Sequence, residues 1–229
     1  MKTLNIIDLG SKSYQCARDI QKRICENIKS GLSGDALILV EHPNVITIGS
    51  AGKINNIIAA DETISNMGFE ILRTDRGGDV TLHAPGQIVA YPLFDLRRHK
   101  KDIRRFIKKL ERVFELTAKS FNLIRDRSID LTGLWVDGKK IGFIGIGIRH
   151  WITFHGMSLN VNNDLGHFST IKPCGIDGLT VTSLSELLGK PVSIEYTKNI
   201  ISDKFCEVFG FDYTNKKNID ARLVKEKTS

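Results

Sequence analysis

Cys174 sits between Pro173 and Gly175. Proline removes a backbone donor and fixes φ there, so helix is excluded and a central strand is disfavoured. The thiol is presented on a turn, unlike Cys16, Cys25 and Cys206, which fall within helix-like apolar patterns and read as small buried hydrophobes. The chemistry open to such a residue is nucleophilic, with an acyl-thioester as the intermediate it naturally forms. A thiol of ordinary pKa, about 8.5, is only a few per cent ionised at neutral pH, so the role requires a nearby cation or donor. Lys140, Lys172 and His83 are the candidates. A purely structural thiol stays open on these residues alone.

A second chemical stretch runs from Arg76 to Leu96, RGGDVTLHAPGQIVAYPLFDL. Gly77-Gly78 permits positive φ or close approach to a ligand, and Pro85-Gly86 is a turn signal that stops regular structure from continuing through His83. His83 is therefore expected on a bend, in a polar loop held against a buried strand that ends near Phe94. A surface hairpin with an incidental histidine is the bland alternative. His42, beside Glu41 at a strand end, is expected at the surface.

Positioning these residues falls to a chain of 229 residues, 41% hydrophobic, with no linker or low-complexity tract, so one domain over 1–229 is expected. Ser13 to Ile28 reads as an amphipathic scaffold helix ended by Gly31. Short strands follow at Asp35 to Val40 and Val45 to Ile48, a short helix at Ala59 to Met67, and a strand at Phe69 to Leu72. Asp102 to Ala118 is the clearest helix, with Ile103, Phe106, Ile107, Leu110, Val113 and Phe114 on one face. From Gly133 the chain turns β-rich, through LWV, a DGKK turn, Ile141 to Ile148 and Trp151 to Val161. Gly142, Gly145 and Gly147 sit inside a strand-like run, so they do not make a phosphate loop; they mark a bulge or a place where an alkyl chain lies against backbone. Ser183 and Glu186 form a capping box, a last helix spans Thr197 to Phe209, and the tail from Lys216 is expected to fray.

The formal net charge of +7 is one patch: Arg97 to Arg112 carries nine Lys/Arg against two acids. It is either a solvated helix face or a docking surface for an acidic protein. Nucleic acid is not indicated, because no aromatics interleave with the basic residues. No run is apolar enough to span a bilayer, the N-terminus lacks a signal-like stretch, and the four cysteines show neither CxxC nor metal-ligand spacing. A protein of the reducing cytoplasm, with no membrane contact and no metal, is expected.

Four motifs in order carry a resemblance: RGGxxTxHxPGQ at Arg76 to Gln87, GLWV with KxGxIG from Gly133 to Gly145, HGxxLN at His155 to Asn160, and PCG at Pro173 to Gly175. Over about residues 30–209 the chain resembles the lipoyl(octanoyl) transferase family. The resemblance implies an α+β fold like the biotin/lipoate-ligase catalytic domain, with a mixed sheet flanked by helices. It implies transfer of an octanoyl or lipoyl group from octanoyl acyl carrier protein to a lysine of lipoyl domains, those of 2-oxo acid dehydrogenase E2 subunits and the glycine cleavage H protein, without cofactor. Cys174 matches the family nucleophile. Lys140 matches the lysine that favours its thiolate and then serves as base. Arg76, Gly77, Gly78, Asp79, Val80, Thr81, Leu82 and His83 match a substrate-lining segment, as do Phe143, Ile144 and Gly145, and His155, Gly156 and Met157. Leu82 stands where the family has tyrosine and Ala84 where it has glycine, which bears on the shape of that loop. An ATP-dependent ligase, a non-catalytic acyl-binding module and a cysteine hydrolase are the rival readings. The oligomeric state is not legible, a monomer being the expectation.

Overall fold

Apolar runs bounded by turn residues pair into two sheets in the computed structural model, which describes residues 3–127, 129 and 131–212. The larger sheet has six strands in the spatial order β1 (Asn5–Ser11), β2 (Ala36–Glu41), β6 (Gln87–Leu93), β9 (Ile152–Asn160), β8 (Lys139–Arg149) and β7 (Leu134–Val136). The smaller has β4 (Glu70–Arg73), β3 (Val45–Ile48) and β5 (Val80–His83). Only β1 with β2 and β3 with β4 run parallel. The mixed character expected is present, divided between two sheets.

Helices cover the large sheet on both faces. Helix α1 (Tyr14–Lys29) starts where Ser13 Oγ accepts from Cys16 N–H, and lays Ala17, Ile20, Ile24 and Ile28 on Ile38, Val40, Val89 and Tyr91. On the other face, α3 (Ile103–Lys119) and α5 (Ile194–Phe209) pack together over Leu37, Leu39, Ile88 and Leu159. Burying each large aliphatic side chain contributes about 1.5–3 kcal/mol, so these two layers anchor the sheet that carries the site. Helix α5 begins at Ile194, earlier than the apolar pattern indicates, because Ser193 Oγ accepts from Tyr196 N–H and caps it there.

The small sheet forms its own apolar cluster with α2 (Asp61–Asn66), through Ile46, Ile64, Phe69, Val80, Leu82 and Phe143 of β8. Helix α4 (Leu184–Leu188) is capped as the Ser183/Glu186 spacing predicts, Ser183 Oγ accepting from Glu186 N–H. The polar tail from Lys216 lies outside the described residues. Among the described residues no helix is long and apolar enough to cross a membrane.

Candidate active site

Cys174 occupies a single 3-10 turn, Pro173–Gly175, with φ 59° and ψ 15°. This left-handed conformation is uncommon for a side chain other than glycine, so the surrounding structure must hold it. Gly175 N–H donates to Lys172 O at 2.9 Å and Ile176 N–H to Pro173 O at 3.2 Å. The thiol is half-buried. By contrast, burial pushes the Cys25 thiol up to about 12 and raises Cys206, leaving both inert.

Lys140 reaches the same place from β8. A two-residue turn, Asp137-Gly138, with positive φ at both positions, reverses the chain from β7 so that Val136 pairs with Lys139. Lys140 then buries its side chain to 4% exposure. Its ammonium donates to Thr132 O at 2.8 Å and lies 5.0 Å from the centroid of the Trp135 ring. Burial lowers its pKa, and attraction to the Cys174 and Glu111 side chains opposes that shift. A cation and a thiol therefore face each other in a partly dry site. Gly133 is required beside them, since a Cβ there would lie 2.4 Å from Gly142 O and 3.3 Å from Lys140 Nζ.

Both residues open into a cavity of about 510 Å³ between the two sheets. Arg76, Gly77, Gly78, Asp79, Val80, Thr81 and His83 line one wall; Phe143, Ile144, Gly145, His155, Gly156 and Met157 line the opposite one. Leu82 is the exception among the residues matched to the substrate-lining segments. Alternation along β5 turns it away from the cavity, and it is completely buried among Ile46, Ile64 and Phe69. The absent tyrosine hydroxyl thus removes nothing from the cavity wall.

Arg76 lines the cavity, yet nearly all its donors are spent on the protein. Nε donates to Thr47 Oγ1 at 3.0 Å, Nη2 to Thr47 O and Asp79 O at 2.6 Å each, and Nη1 to Gly77 O at 3.0 Å. Its guanidinium fastens the glycine loop to β3, and Gly77 N–H fastens it to β8 through Ile146 O at 2.8 Å.

The histidines correct two expectations. His83 is the last residue of β5, not a residue on a bend, because the chain stays paired with Val45 up to that point. Its Nδ1–H donates to Gln87 Oε1 at 2.6 Å, the Gln87 amide being oriented by its own donation to Asn160 Oδ1 at 2.8 Å. His42 is fully buried rather than at the surface: Nδ1–H donates to Lys12 O at 2.7 Å, and Nε2 accepts from the Tyr91 hydroxyl at 2.8 Å. Burial lowers His83 to about 3 and His42 to about 4, so both are neutral at physiological pH. His155, lowered chiefly by burial, donates from Nε2 to Asp75 at 3.0 Å and accepts at Nδ1 from the Tyr14 hydroxyl at 3.3 Å. Tyr14 stacks on His83 and His155 with ring centroids 6.0 and 6.2 Å apart.

The cavity thus has one end where the Cys174 turn meets Asp79, and a neutral polar-aromatic end about 10 Å along β5 at His83, taking three strand residues at 3.3 Å each. Sequence reasoning missed Tyr14, Tyr91, Ile107, Leu131, Thr132 and Ile176 as lining residues. Tyr14 reads only as the first residue of an amphipathic helix, and Ile107 as a core position of α3. Of the strand glycines, Gly145 and Gly156 line the cavity, and protein closely approaches each of them as well as Gly142 and Gly147. A Cβ on Gly147 would lie 2.3 Å from the Phe154 ring, one on Gly142 2.8 Å from Phe114, one on Gly145 2.9 Å from Gly77 O, and one on Gly156 2.1 Å from Ala90 O. Among the described residues no group of histidine, cysteine or acidic side chains could hold a metal ion.

Comparison with known proteins shows the family of the chain. The sequence model of the lipoyl protein ligase A/B catalytic domain matches residues 13–206. The octanoyltransferase of Alkaliphilus metalliredigens is 40% identical over 210 residues, covering 91% of this chain and 96% of the relative. That of Caldicellulosiruptor bescii is 43% identical over 209 residues, covering 90% and 92%. Among solved structures, lipoate-protein ligase A bound with ATP superposes with a TM-score of 0.78 at 16% identity, covering 97% of this chain and 91% of that one. Biotin protein ligase from Aquifex aeolicus superposes with a TM-score of 0.51 at 12% identity, covering 92% and 70%. These two likenesses speak to the fold alone.

Proposed function

The chain belongs to the lipoyl protein ligase A/B catalytic domain family and is an octanoyltransferase of protein lipoylation, and from that premise we propose that Cys174 carries the octanoyl group as a thioester between two protein substrates. The observation that carries this reading is the facing pair of the Cys174 thiol and the buried Lys140 ammonium on the rim of an acyl-sized cavity.

In the first half-reaction the Cys174 thiolate attacks the thioester carbonyl of octanoyl acyl carrier protein. The tetrahedral intermediate expels the carrier thiolate, which takes a proton from the Lys140 ammonium and leaves as a thiol. Octanoyl is then bound to sulfur, and Lys140 is a neutral amine, the form its burial favours. In the second half-reaction the neutral amine of a lipoyl-domain lysine attacks the acyl-enzyme. Lys140 removes the proton that the new C–N bond makes acidic, and the Cys174 thiolate is expelled, so both groups return to their starting state. The alkyl chain lies along Val89, Phe143, Ile144 and Met157, where it is removed from water.

The protein substrates dock on the outer edge of α3. Its Ile107 lines the cavity, its Ile103 is exposed, and Arg104 and Lys108, one turn apart, flank that apolar ridge. Within the basic patch, Arg97 is held by Asp95, Arg98 by Asp95 and Asp35, and Arg112 by Glu115. Among the described residues neither Arg104 nor Lys108 forms an ion pair, so both charges face solvent on α3. An acidic carrier and an acidic lipoyl domain of an E2 subunit or an H protein suit that edge.

The deciding experiment is octanoyl transfer from octanoyl acyl carrier protein to a purified lipoyl domain in the absence of ATP. Wild type should modify the domain and show an octanoyl mass adduct on the enzyme, while Cys174→Ala should do neither. Transfer by Cys174→Ala at the wild-type rate would overturn the covalent step.

A further inference from the structure

Cys174 holds a backbone conformation that its own side chain disfavours, and the bonds within its turn are too few to fix where the sulfur points. Its support comes from a distant part of the chain, the 3-10 turn Ile54–Asn56. The backbone carbonyl of Asn56 accepts from Lys172 N–H at 2.7 Å, two residues before the nucleophile. The next residues continue the contact: Ile57 and Ile171 form an antiparallel bridge, and Ile58 N–H and Ala59 N–H both donate to Thr170 O.

The side chain of Asn56 makes the second tie. Its Nδ2–H donates to Asp79 Oδ2 at 2.8 Å. Asp79 Oδ1 accepts from Val80 N–H at 2.7 Å and from Lys53 N–H at 3.3 Å, and the Asp79 carbonyl accepts from Arg76 Nη2 and from Gly49 N–H. Every acceptor of Asp79 is therefore used to fix its position. Gly175 lies directly on the Asn56–Asp79 pair: a Cβ there would come 2.6 Å from Asp79 Oδ2 and 3.2 Å from Asn56 Nδ2. The nucleophile turn rests on an amide–carboxylate hydrogen bond, and glycine follows the cysteine because no side chain fits above that bond.

The geometry points to Asn56 as a positioning residue for the nucleophile: its side chain, through Asp79, forms the seat that holds the Cys174 turn in its left-handed conformation and aims the sulfur at Lys140. The inference rests on the acyl-enzyme reading above but is measured separately from it, because alkylation of Cys174 needs no acyl transfer. Asn56 touches no substrate in this arrangement; it acts through Asp79 and Lys172. Misplacing a reacting atom by about 1 Å costs on the order of 10²-fold in rate, which sets the scale of the effect.

The test exchanges donor and acceptor. Asn56→Asp sets two carboxylates against each other, Asp79→Asn replaces the acceptor, and the double variant restores an amide–carboxylate pair with the roles reversed. Single-turnover octanoylation of Cys174 from a small octanoyl thioester and alkylation of Cys174 by iodoacetamide are both followed by intact mass, with KM and Tm measured for each variant. Asn56→Asp and Asn56→Ala should slow both reactions by about 10- to 100-fold with KM within about two-fold of wild type, and the double variant should recover at least about 10-fold over Asn56→Asp. Folded Asn56→Ala reacting at the wild-type rate in both assays overturns the inference. So does a folded double variant no faster than Asn56→Asp. A wild type that alkylates normally but never acquires an octanoyl adduct would refute the acyl-enzyme and leave this seat to be judged on alkylation alone.

Discussion

Lys140 and Val181 form a parallel bridge, with Lys140 N–H donating to Thr180 O and Lys140 O accepting from Thr182 N–H, both at 2.9 Å. The strand that carries the amine is thereby hydrogen-bonded to the segment that follows the Cys174 turn. Amine and thiol are held by one backbone network, so their facing arrangement does not depend on two mobile loops meeting.

Lys140→Met separates activity from stability. Burial works against the ammonium, and replacing it with an apolar side chain of similar reach removes that unfavourable charge. Octanoyl transfer should fall by about 10²- to 10⁴-fold, the range for losing a positioned acid–base group. The Tm should stay within a few degrees of wild type or rise. A variant that loses activity only in proportion to lost folded protein would assign Lys140 a structural role.

Acid sensitivity should follow the two buried imidazoles. His42 and His83 have folded pKa values of about 4 and about 3, below the ordinary value of 6.5. When a histidine pKa is depressed by folding, the unfolded chain takes up the proton first, so stability is full above pH 6.5 and is lost as pH falls toward 4 and then 3. Each group supplies on the order of 3 kcal/mol to that loss. Urea unfolding at intervals between pH 7.5 and 4.5 should show a steep decline for wild type and a shallower one for His42→Gln. Equal slopes would mean that His42 does not titrate as burial demands.

The turn at Cys174 was legible because Pro173 and Gly175 disfavour helix and strand there, and α1 and α3 because their apolar stripes repeat at the helical period. What the sequence hid was long-range. His42 looks like a surface residue next to Glu41 until β6 supplies the Tyr91 hydroxyl that lets it be buried. Leu82 lies in a site motif, but strand alternation decides which of its neighbours face the cavity, and the β3–β5 pairing sets that alternation. The end of β5 at His83 depends on the same pairing. Asn56 belongs to no motif, and its tie to Lys172 exists only after folding. Which neighbour crowds each strand glycine is hidden for the same reason: nothing local tells a ligand from Phe154 or Ala90.

That last point can be checked at Gly147, where φ is ordinary and the Phe154 ring opposes a methyl group. Gly147→Ala should cost about 1–3 kcal/mol in urea unfolding, the usual penalty for overpacking, with KM for a small octanoyl thioester unchanged. A raised KM at unchanged stability would return that position to the acyl chain.

Charge reversal on α3 tests how the protein substrates arrive. Arg104 and Lys108 lie one turn apart on the exposed side of α3, the helix whose Ile107 lines the cavity, and among the described residues neither is neutralised by a carboxylate. An attractive field of this kind raises the local concentration of an oppositely charged partner and fades within about 10 Å at 0.1 M salt. Arg104→Glu with Lys108→Glu should therefore raise KM for octanoyl acyl carrier protein by about 10-fold at low ionic strength, with the gap from wild type closing as salt is added. A small octanoyl thioester, which needs only the cavity and the Cys174–Lys140 pair, should show the same KM and kcat in both enzymes. Reversing Arg97 instead, whose guanidinium is held bidentately by Asp95 at 2.8 Å, should change carrier KM far less. An equal effect at Arg97 and at Arg104 with Lys108 would show that total charge, and not the α3 edge, governs encounter.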